Sequence, residues 1–582
     1  MAHTFFNKPP SSAALQKNIQ KISYTQAGAD ALPSSIDAAA ERSAKLLSWW
    51  LGVKPFAACV GLWLLVVAAS LLARSAWPLD ETRVLAVAWE MWLRQEWVLP
   101  RLNGQPYAQQ APLLPWLIQA GWFFLGVNDW WPRLLPGIFA LTSLFVTNRL
   151  ARLLWRENPN VARYAPLVLM GMFCWAFYET LALADMLAVF FTLLAWWALL
   201  IMWRGRDMRA FLLLGVALGL GTLALGTAIF LNVLPVALLA PMWVRAKPPI
   251  VWKYWYADIG KATVLAGVIV FAWLIPASMQ VGPAFALQWF TESLTAAQLN
   301  LFSTSQAWWW YLAWLPVALL PWSLWPLLWM RLWHIRREAF SVGMTFCLVV
   351  TFSTLGLFSL LDIKQPQFIL PLLPLAAMFI THLLMEPSLA QRDQEKFLSG
   401  MTMPLVLLGA LLTVLPKLPR IEFLPEMLWE LSPFVGLGVM LLGGALAWLP
   451  MREIQRRFLD IVAVSAMLVA FVILGVGSQF DEFYRTDALG RFLAEAQAQQ
   501  RPIAHLGAYH GEFQFSGRLR QPLDVIEVAQ AENWLITHAD GLLISHSHIW
   551  QPRSYSAPAF ETNYRGTLLR VWNASAPPAS PH

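Results

Sequence analysis

The chain is poor in charge and in cysteine. Only 13% of its 582 residues are charged, whereas 58% are hydrophobic, with 34 Trp and 34 Phe. A soluble protein of this length would not combine so little charge with so many apolar side chains, so the composition indicates a polytopic membrane protein. The three cysteines, Cys59, Cys174 and Cys347, lie in apolar runs without metal-site spacing. We therefore expect buried small hydrophobic side chains there, not metal ligands.

A cleavable signal pattern is also missing from the first 50 or so residues, which are polar and predict a flexible cytoplasmic tail. The net charge of +7 could suggest a nucleic-acid partner. The basic residues instead cluster in five short loops between apolar segments, a distribution typical of membrane proteins and not of nucleic-acid binding. If those loops are cytoplasmic, the N-terminus lies inside, and the loop 77–130 and everything after about residue 480 lie outside.

Apolar windows of a length that can cross the hydrocarbon core recur along the chain. They predict about thirteen membrane helices, roughly at 55–73, 131–151, 164–182, 185–203, 210–226, 228–245, 262–280, 306–330, 340–361, 367–385, 402–417, 432–450 and 457–477. The expected fold class is an all-α polytopic membrane domain over residues 51–479.

The remainder, 480–582, has a different character and predicts a small extracytoplasmic α/β domain. Asp487 to Gln500 predicts a helix. Strand-like runs separated by polar residues follow at Ile503–Tyr509, Glu512–Phe515, Leu523–Val528, Leu542–Ser545 and Thr567–Trp572.

The most informative stretch is the polar loop from Trp77 to Trp130, which follows the first apolar segment. Residues 84–95 and 112–125 predict two short amphipathic helices along a membrane surface. This arrangement would hold Asp80 at the boundary between water and lipid. Two adjacent carboxylates, Asp80 and Glu81, are unusual beside a membrane helix in so weakly charged a chain.

The loop also carries a resemblance to a known family. Asp80-Glu81 is followed by Pro100-Arg101-Leu102-Asn103-Gly104-Gln105-Pro106-Tyr107 and by Pro112-Leu113-Leu114-Pro115-Trp116-Leu117. This pattern resembles the first outer loop of the GT-C membrane glycosyltransferases of family 39. Within that family it is similar to the bacterial enzymes that move 4-amino-4-deoxy-L-arabinose from undecaprenyl phosphate to lipid A, and more distantly to the protein O-mannosyltransferases.

The resemblance implies an inverting transfer of a sugar from a polyprenyl-phosphate donor. Asp80 then matches the proposed catalytic base, which strips the acceptor hydroxyl, and Glu81 faces the headgroup region. Asp185 begins a pattern similar to the family's Asp-x-x-Leu-x-x-Phe and could share a divalent metal ion with Asp80. From the residues alone, Asp80 and Asp185 could instead be helix N-caps.

Cationic help for the donor phosphate is expected from two residues. Lys364 opens a Lys-Gln-Pro-Gln-Phe-Ile-Leu-Pro-Leu-Leu-Pro run, which resembles a family signature at the outer end of a helix. Arg83 is a second candidate for the phosphate. Interfacial snorkelling remains an alternative for both side chains. Tyr107 and Tyr509, the latter in an aromatic stretch that resembles the relatives' periplasmic domain, are expected on the acceptor side.

The chain departs from the family pattern at two places. Gln110 and Leu225 stand at positions where the motifs of the aminoarabinose transferases carry a lysine. A different sugar or acceptor (lipid A, another glycolipid, a polysaccharide or a protein) and a catalytically inactive envelope-assembly relative therefore stay open. A transporter or flippase is a further alternative, although charges at mid-membrane depth would be typical of one. We expect a monomer in the bacterial inner membrane, surrounded by membrane lipids.

Overall fold

The computed structural model describes residues 55–77, 79–205, 208–244, 250–295, 307–334, 340–361, 364–385, 402–419, 429, 432–448, 454–484, 486–547, 549–550, 557–564 and 567–573. The predicted N-terminal tail, residues 1–50, lies outside the described residues.

Most of the described chain is helical. The helices before the C-terminal domain are α1 (Pro55–Ala73), α2 (Asp80–Leu93), α3 (Leu113–Leu125), α4 (Trp130–Leu154), α5 (Pro159–Met170), α6 (Phe173–Tyr178), α7 (Asp185–Arg204), α8 (Met208–Leu225), α9 (Ala228–Leu238), α10 (Ala240–Trp243), α11 (Trp252–Val281), α12 (Ala284–Thr295), α13 (Trp310–Ala318), α14 (Pro326–His334), α15 (Val342–Leu360), α16 (Leu372–Leu384), α17 (Thr402–Val414), α18 (Pro433–Trp448) and α19 (Ile454–Tyr484).

The predicted apolar spans coincide with these helices, although three spans are each divided in two. The span 164–182 breaks after α5, where Gly171 follows the last helical residue. The span 228–245 breaks between α9 and α10, whose first turn holds Pro241. The span 306–330 breaks between α13 and α14. Among the described residues, six helices are long and apolar enough to cross a membrane, namely α1, α4, α7, α11, α15 and the Ile454–Gly475 part of α19.

Two helices and a hairpin form the outer loop. Helices α2 and α3 are the two short helices that the pattern predicts, and strands β1 (Arg101–Leu102) and β2 (Gln105–Pro106) pair antiparallel between them. The expectation of a surface helix is wrong for α2. Every residue from Glu81 to Met91 is buried, because the C-terminal domain covers the side that an amphipathic helix would leave open.

The C-terminal domain is a five-stranded sheet with helices. It contains α20 (Asp487–Ala498), β3 (Ile503–Leu506), β4 (Asp524–Ile526), α21 (Ala531–Thr537), β5 (Leu542–His546), β6 (Phe560–Tyr564) and β7 (Thr567–Asn573). The strand order is β4-β3-β5-β7-β6. Strand β3 is parallel to β4 and to β5, whereas β7 is antiparallel to β5 and β6. The predicted α/β character of this domain is confirmed.

One predicted strand is wrong and one was missed. Glu512–Phe515 forms turns, because its backbone carbonyls are used locally: the Gly517 N–H donates to the Phe513 carbonyl and the Arg518 N–H to the Phe515 carbonyl. Phe513 packs into the domain core, whereas Phe515 stacks on Trp122 of the outer loop at 5.3 Å between ring centroids. Strand β6 was not predicted.

Polar contacts hold this domain on the outer loop. The side-chain amide of Asn103 donates to the Leu523 carbonyl and its oxygen accepts from the Leu523 N–H, both at 2.8 Å. The Trp89 indole donates to the Leu519 carbonyl at 2.8 Å. Buried Glu90 accepts from the Gly104 N–H and from Gln514. The outer loop and the segment 509–523 therefore form one packed unit.

Candidate functional site

Helix α2 begins at Asp80, so this carboxylate lies in its first turn and does not cap it. The residue before it, Leu79, occupies the cap position with φ 73°, and its N–H donates to the Thr82 hydroxyl at 3.0 Å. Asp185 is likewise the first residue of α7 and follows its cap residue, Ala184. The N-cap alternatives for Asp80 and Asp185 are therefore wrong.

The adjacent carboxylates of Asp80 and Glu81 have opposite surroundings. Asp80 is exposed, whereas Glu81 is fully buried. The Glu81 carboxylate accepts from both terminal nitrogens of Arg74, at 2.5 and 3.1 Å, and from the backbone N–H groups of Trp77 and Ala182, at 2.6 and 2.5 Å. Glu81 thus joins the end of α1, the start of α2 and the loop before Asp185.

This environment keeps Glu81 ionised. Burial alone would raise the pKa of Glu81, but the Arg74 guanidinium and the N–H donors outweigh it and hold that pKa below its ordinary value. Since both carboxylate oxygens are occupied, Glu81 is placed to position the neighbouring residues. Of the pair, Asp80 is the carboxylate that solvent and substrate can reach.

Asp80 and Asp185 lie close enough for their charges to interact, although they come from different helices. The negative charges of both carboxylates act on Tyr178, at the end of α6. Sequence reasoning missed Tyr178, although it directly precedes the Glu179–Leu187 stretch that contains Asp185.

The segment that begins with Lys364 lies beside this group. Tyr178 donates to the Gln367 side chain at 3.4 Å. Lys364 itself is buried, and its ammonium group donates to the Leu361 carbonyl at 2.8 Å. Buried Tyr311 accepts from the Gln365 N–H at 3.2 Å and fixes the turn. The family-like signature of Lys364 therefore contacts the same surroundings as Asp185.

Arg83, Tyr107 and Tyr509 line a second feature, a cavity of about 810 Å³ between the outer loop and the C-terminal domain. It lies at the carboxyl ends of the parallel strands β3 and β5, where ligands bind in open α/β sheets. His505 and His546 contribute to its lining. Burial lowers the pKa of His505 to about 4, so this ring is neutral at pH 7. The structure brings all three of these predicted site residues together.

Arg83 is the unusual residue of this cavity. It is 5% exposed, and within the described residues its Nε and Nη2 atoms have no hydrogen-bond partner. A buried guanidinium with unused donors is costly unless an anion occupies the site. Snorkelling does not describe this side chain, since its head group is not in solvent.

Asp80 connects the two groups electrostatically. Its charge acts on Asp185 and also on Tyr107 in the cavity. Burial raises the pKa of Tyr107, Arg83 opposes that rise, and Asp80 adds to it. The exposed carboxylate of Asp80 thus acts electrostatically both on the cavity and on the start of α7. In the part of the chain that the structure describes, no group of three or more His, Cys, Asp or Glu side chains could hold a metal ion.

Comparisons with known proteins agree with this arrangement. Residues 109–278 match the family model described as dolichyl-phosphate-mannose-protein mannosyltransferase. The chain is 29% identical over 410 residues to the undecaprenyl phosphate-alpha-4-amino-4-deoxy-L-arabinose arabinosyl transferase of Pseudomonas aeruginosa strain UCBPP-PA14, covering 69% of this chain and 71% of the relative. The enzyme of the same name from Pseudomonas paraeruginosa is 28% identical over 407 residues, with the same coverage.

A solved structure shows the same fold. The crystal structure of ArnT from Cupriavidus metallidurans bound to undecaprenyl phosphate superposes with a TM-score of 0.71 at 19% identity, covering 90% of this chain and 98% of that one. This chain is similar to membrane glycosyltransferases of this kind. The resemblance predicted from the outer loop is therefore confirmed, and so is the expectation of a membrane glycosyltransferase. In this fold Asp80 and Arg83 lie on α2 of the outer loop, Asp185 begins α7, and Lys364 follows the end of α15.

Proposed function

We propose that this protein is an inverting glycosyltransferase that moves a sugar from a polyprenyl-phosphate donor to an acceptor at the outer face of the inner membrane. The relatives' names support the donor class. The observation that carries the proposal is the position of Asp80, an exposed carboxylate beside Asp185 and beside the cavity that holds Arg83.

The reaction needs one base and cationic help for a phosphate. The acceptor oxygen attacks the anomeric carbon, the bond from that carbon to the phosphate oxygen breaks, and the polyprenyl phosphate leaves as an anion. The acceptor proton passes to the Asp80 carboxylate. A single displacement of this kind inverts the anomeric configuration. Glu81 positions Asp80 through the backbone that it anchors.

Arg83 and Lys364 are the proposed phosphate ligands. The unused N–H groups of Arg83 suit a phosphate oxygen, and buried Lys364 would add a point charge. Gln110 and Leu225 lack the charge of the relatives' lysines. Arg83 would then compensate for part of that lost positive charge.

A divalent ion is a further proposal for Asp80 and Asp185. Magnesium is often held by one or two carboxylates plus substrate phosphates, so a third protein ligand is not required. The two interacting carboxylates fit that limited role, and the ion would screen the donor phosphate. Transfer should then fall after chelation with EDTA and return with added Mg²⁺. Full activity after chelation and dialysis would contradict a metal at this pair.

Tyr107 and Tyr509 are proposed to contact the acceptor in the cavity. Tyr509 is buried in the domain core, and its hydroxyl has no hydrogen-bond partner within the described residues. A glycolipid such as lipid A, a polysaccharide or a protein could supply the acceptor hydroxyl. The relatives favour a lipid acceptor, and comparing these acceptor classes in one transfer assay would identify it.

The proposed organisation is a cytoplasmic tail over 1–50, a GT-C domain of thirteen membrane helices over 51–479, and a periplasmic domain over 480–582. The divided spans 164–182, 228–245 and 306–330 would each cross once, as broken helices. We propose that the chain acts as a monomer.

The decisive test is Asp80→Asn, which keeps the size of an exposed side chain. The variant should purify like the parent and still bind polyprenyl phosphate. Its transfer rate should fall by about 10²–10⁴, the usual contribution of a general base. The control is Asp258→Asn, a half-buried carboxylate that pairs with the exposed Lys261 on α11. Near-parental transfer by Asp80→Asn would remove Asp80 from the chemistry, and a parent without any transfer would indicate an inactive relative.

A further inference from the structure

Helix α12 packs against the outer loop beside the candidate site. Phe285 and Trp289 are buried in one apolar cluster with Leu99 and Ala108 of that loop. Glu292 follows Trp289 by three residues and Phe285 by seven, so it shares their helix face. Tyr107 directly precedes Ala108 of this cluster, and Glu292 lies one helical turn after Trp289 of the same cluster. The negative charge of Glu292 accordingly acts on the Tyr107 phenol.

The two carboxylate oxygens of Glu292 are used differently. Oε1 accepts a hydrogen bond from the Gln288 side chain at 2.9 Å. Oε2 is buried and, within the described residues, has no hydrogen-bond partner. A buried acceptor without a donor carries a desolvation penalty that a bound ligand can remove. None of the sequence patterns pointed to Glu292, because it lies outside the family-like motifs.

Two residues that act on Tyr107, Arg83 and Glu292, therefore carry buried polar atoms without hydrogen-bond partners among the described residues. Arg83 offers N–H donors that lack an acceptor, and Glu292 offers an oxygen that lacks a donor. A ligand that satisfies both must carry an anion together with a hydroxyl or amino group. A sugar linked to a phosphate has this combination, whereas the bare lipid phosphate has only the first half.

We propose that Glu292 is a specificity-determining residue of the donor site, which accepts a hydrogen bond from a hydroxyl or amino group of the transferred sugar. This inference rests on the proposed function. Arg83 then binds the phosphate end of the donor, and the Tyr107 ring lies between phosphate and sugar. The arrangement lets the enzyme distinguish the sugar-bearing donor from the spent carrier.

The test compares two ligands on matched variants. Affinities for undecaprenyl phosphate and for the sugar-bearing undecaprenyl-phosphate donor are measured on the full-length protein in detergent. Glu292→Gln should weaken binding of the sugar-bearing donor by at least about tenfold, the range of one hydrogen bond to a charged group. Binding of undecaprenyl phosphate should stay within about twofold, because Glu292 contacts only the sugar. Arg83→Ala should weaken both ligands.

The control is Glu561→Gln, which removes a surface carboxylate that pairs with Arg570 on the C-terminal domain and should change neither affinity. Glu292→Asp should recover part of the affinity for the sugar-bearing donor. It replaces Glu292→Gln in the comparison if that variant does not fold. Equal weakening of both ligands, or unchanged donor affinity, would overturn the role of Glu292. If the parent binds neither lipid, the proposed function fails together with this inference.

Discussion

The buried ion pair of Arg74 and Glu81 offers the sharpest prediction of stability. The side chains are 6% and 1% exposed, and Glu81 accepts four hydrogen bonds, two of them from backbone groups of separate segments. Glu81→Ala removes the carboxylate and leaves the Arg74 guanidinium buried without its counter-charge. Breaking a buried pair in this way costs about 3–5 kcal/mol. We expect the free energy of unfolding to fall by that amount.

A double-mutant cycle measures the pair itself. Arg74→Ala also loses the bond to the Thr180 carbonyl, so it should destabilise the protein on its own. In the double variant no charge is left unpaired, and the loss should be smaller than the sum of the single losses by about 1–3 kcal/mol. Unfolding is followed in detergent by denaturant titration. Additive effects within about 0.5 kcal/mol would refute the pairing argument.

The pH dependence has a defined sign. Because the pKa of Glu81 is lower in the folded protein than its ordinary value of 4.5, the contribution is fully present above about pH 4.5. It is lost as the pH falls through the folded-state pKa. The difference in stability between parent and Glu81→Ala should therefore shrink only in acid.

Three further predictions concern the site, the topology and the docking of the outer domain. Lys364→Ala should raise the KM for the lipid donor and change kcat little, and an unchanged donor dependence would leave Lys364 without a role in binding. A reporter that is active only in the cytoplasm, fused after His582, should be silent, and a strong signal would mean that the number of crossings is wrong by one. Asn103→Asp keeps a side chain that tolerates the backbone φ of 52°, but it replaces the N–H donor to the Leu523 carbonyl with a carboxylate oxygen. Hydrogen exchange of the backbone amides in 509–523 should therefore become about 10–100-fold faster. Unchanged protection from exchange would contradict this contact.

The membrane helices could be predicted from the sequence, because each apolar window is a local property. The helices α2 and α3 and the resemblance carried by Asp80 also followed from short patterns. The burial of α2 could not be predicted, since it depends on the C-terminal domain some 400 residues further along, which supplies Leu519 to Trp89.

The sequence pattern also could not predict which charged side chains form pairs. Asp80 and Glu81 are adjacent and chemically alike, and only their surroundings separate an exposed carboxylate from one held by Arg74. The alternation of Glu512–Phe515 indicated a strand, but it does not reveal that the backbone there forms local turn hydrogen bonds instead of pairing in a sheet. Tyr107 and Tyr509 were singled out by resemblance and Arg83 by its charge, but the contact of all three with one cavity depends on the tertiary structure.

The close packing at Gly511 limits the exchange of the C-terminal domain between related proteins. Its φ is +81°, and a Cβ placed there would lie 2.7 Å from the Ala86 side chain and 2.8 Å from that of Leu102. Any larger residue would push the outer domain away from α2 and β1. A chimera that takes 480–582 from a relative should assemble well only if it also takes the loop between Trp77 and Trp130.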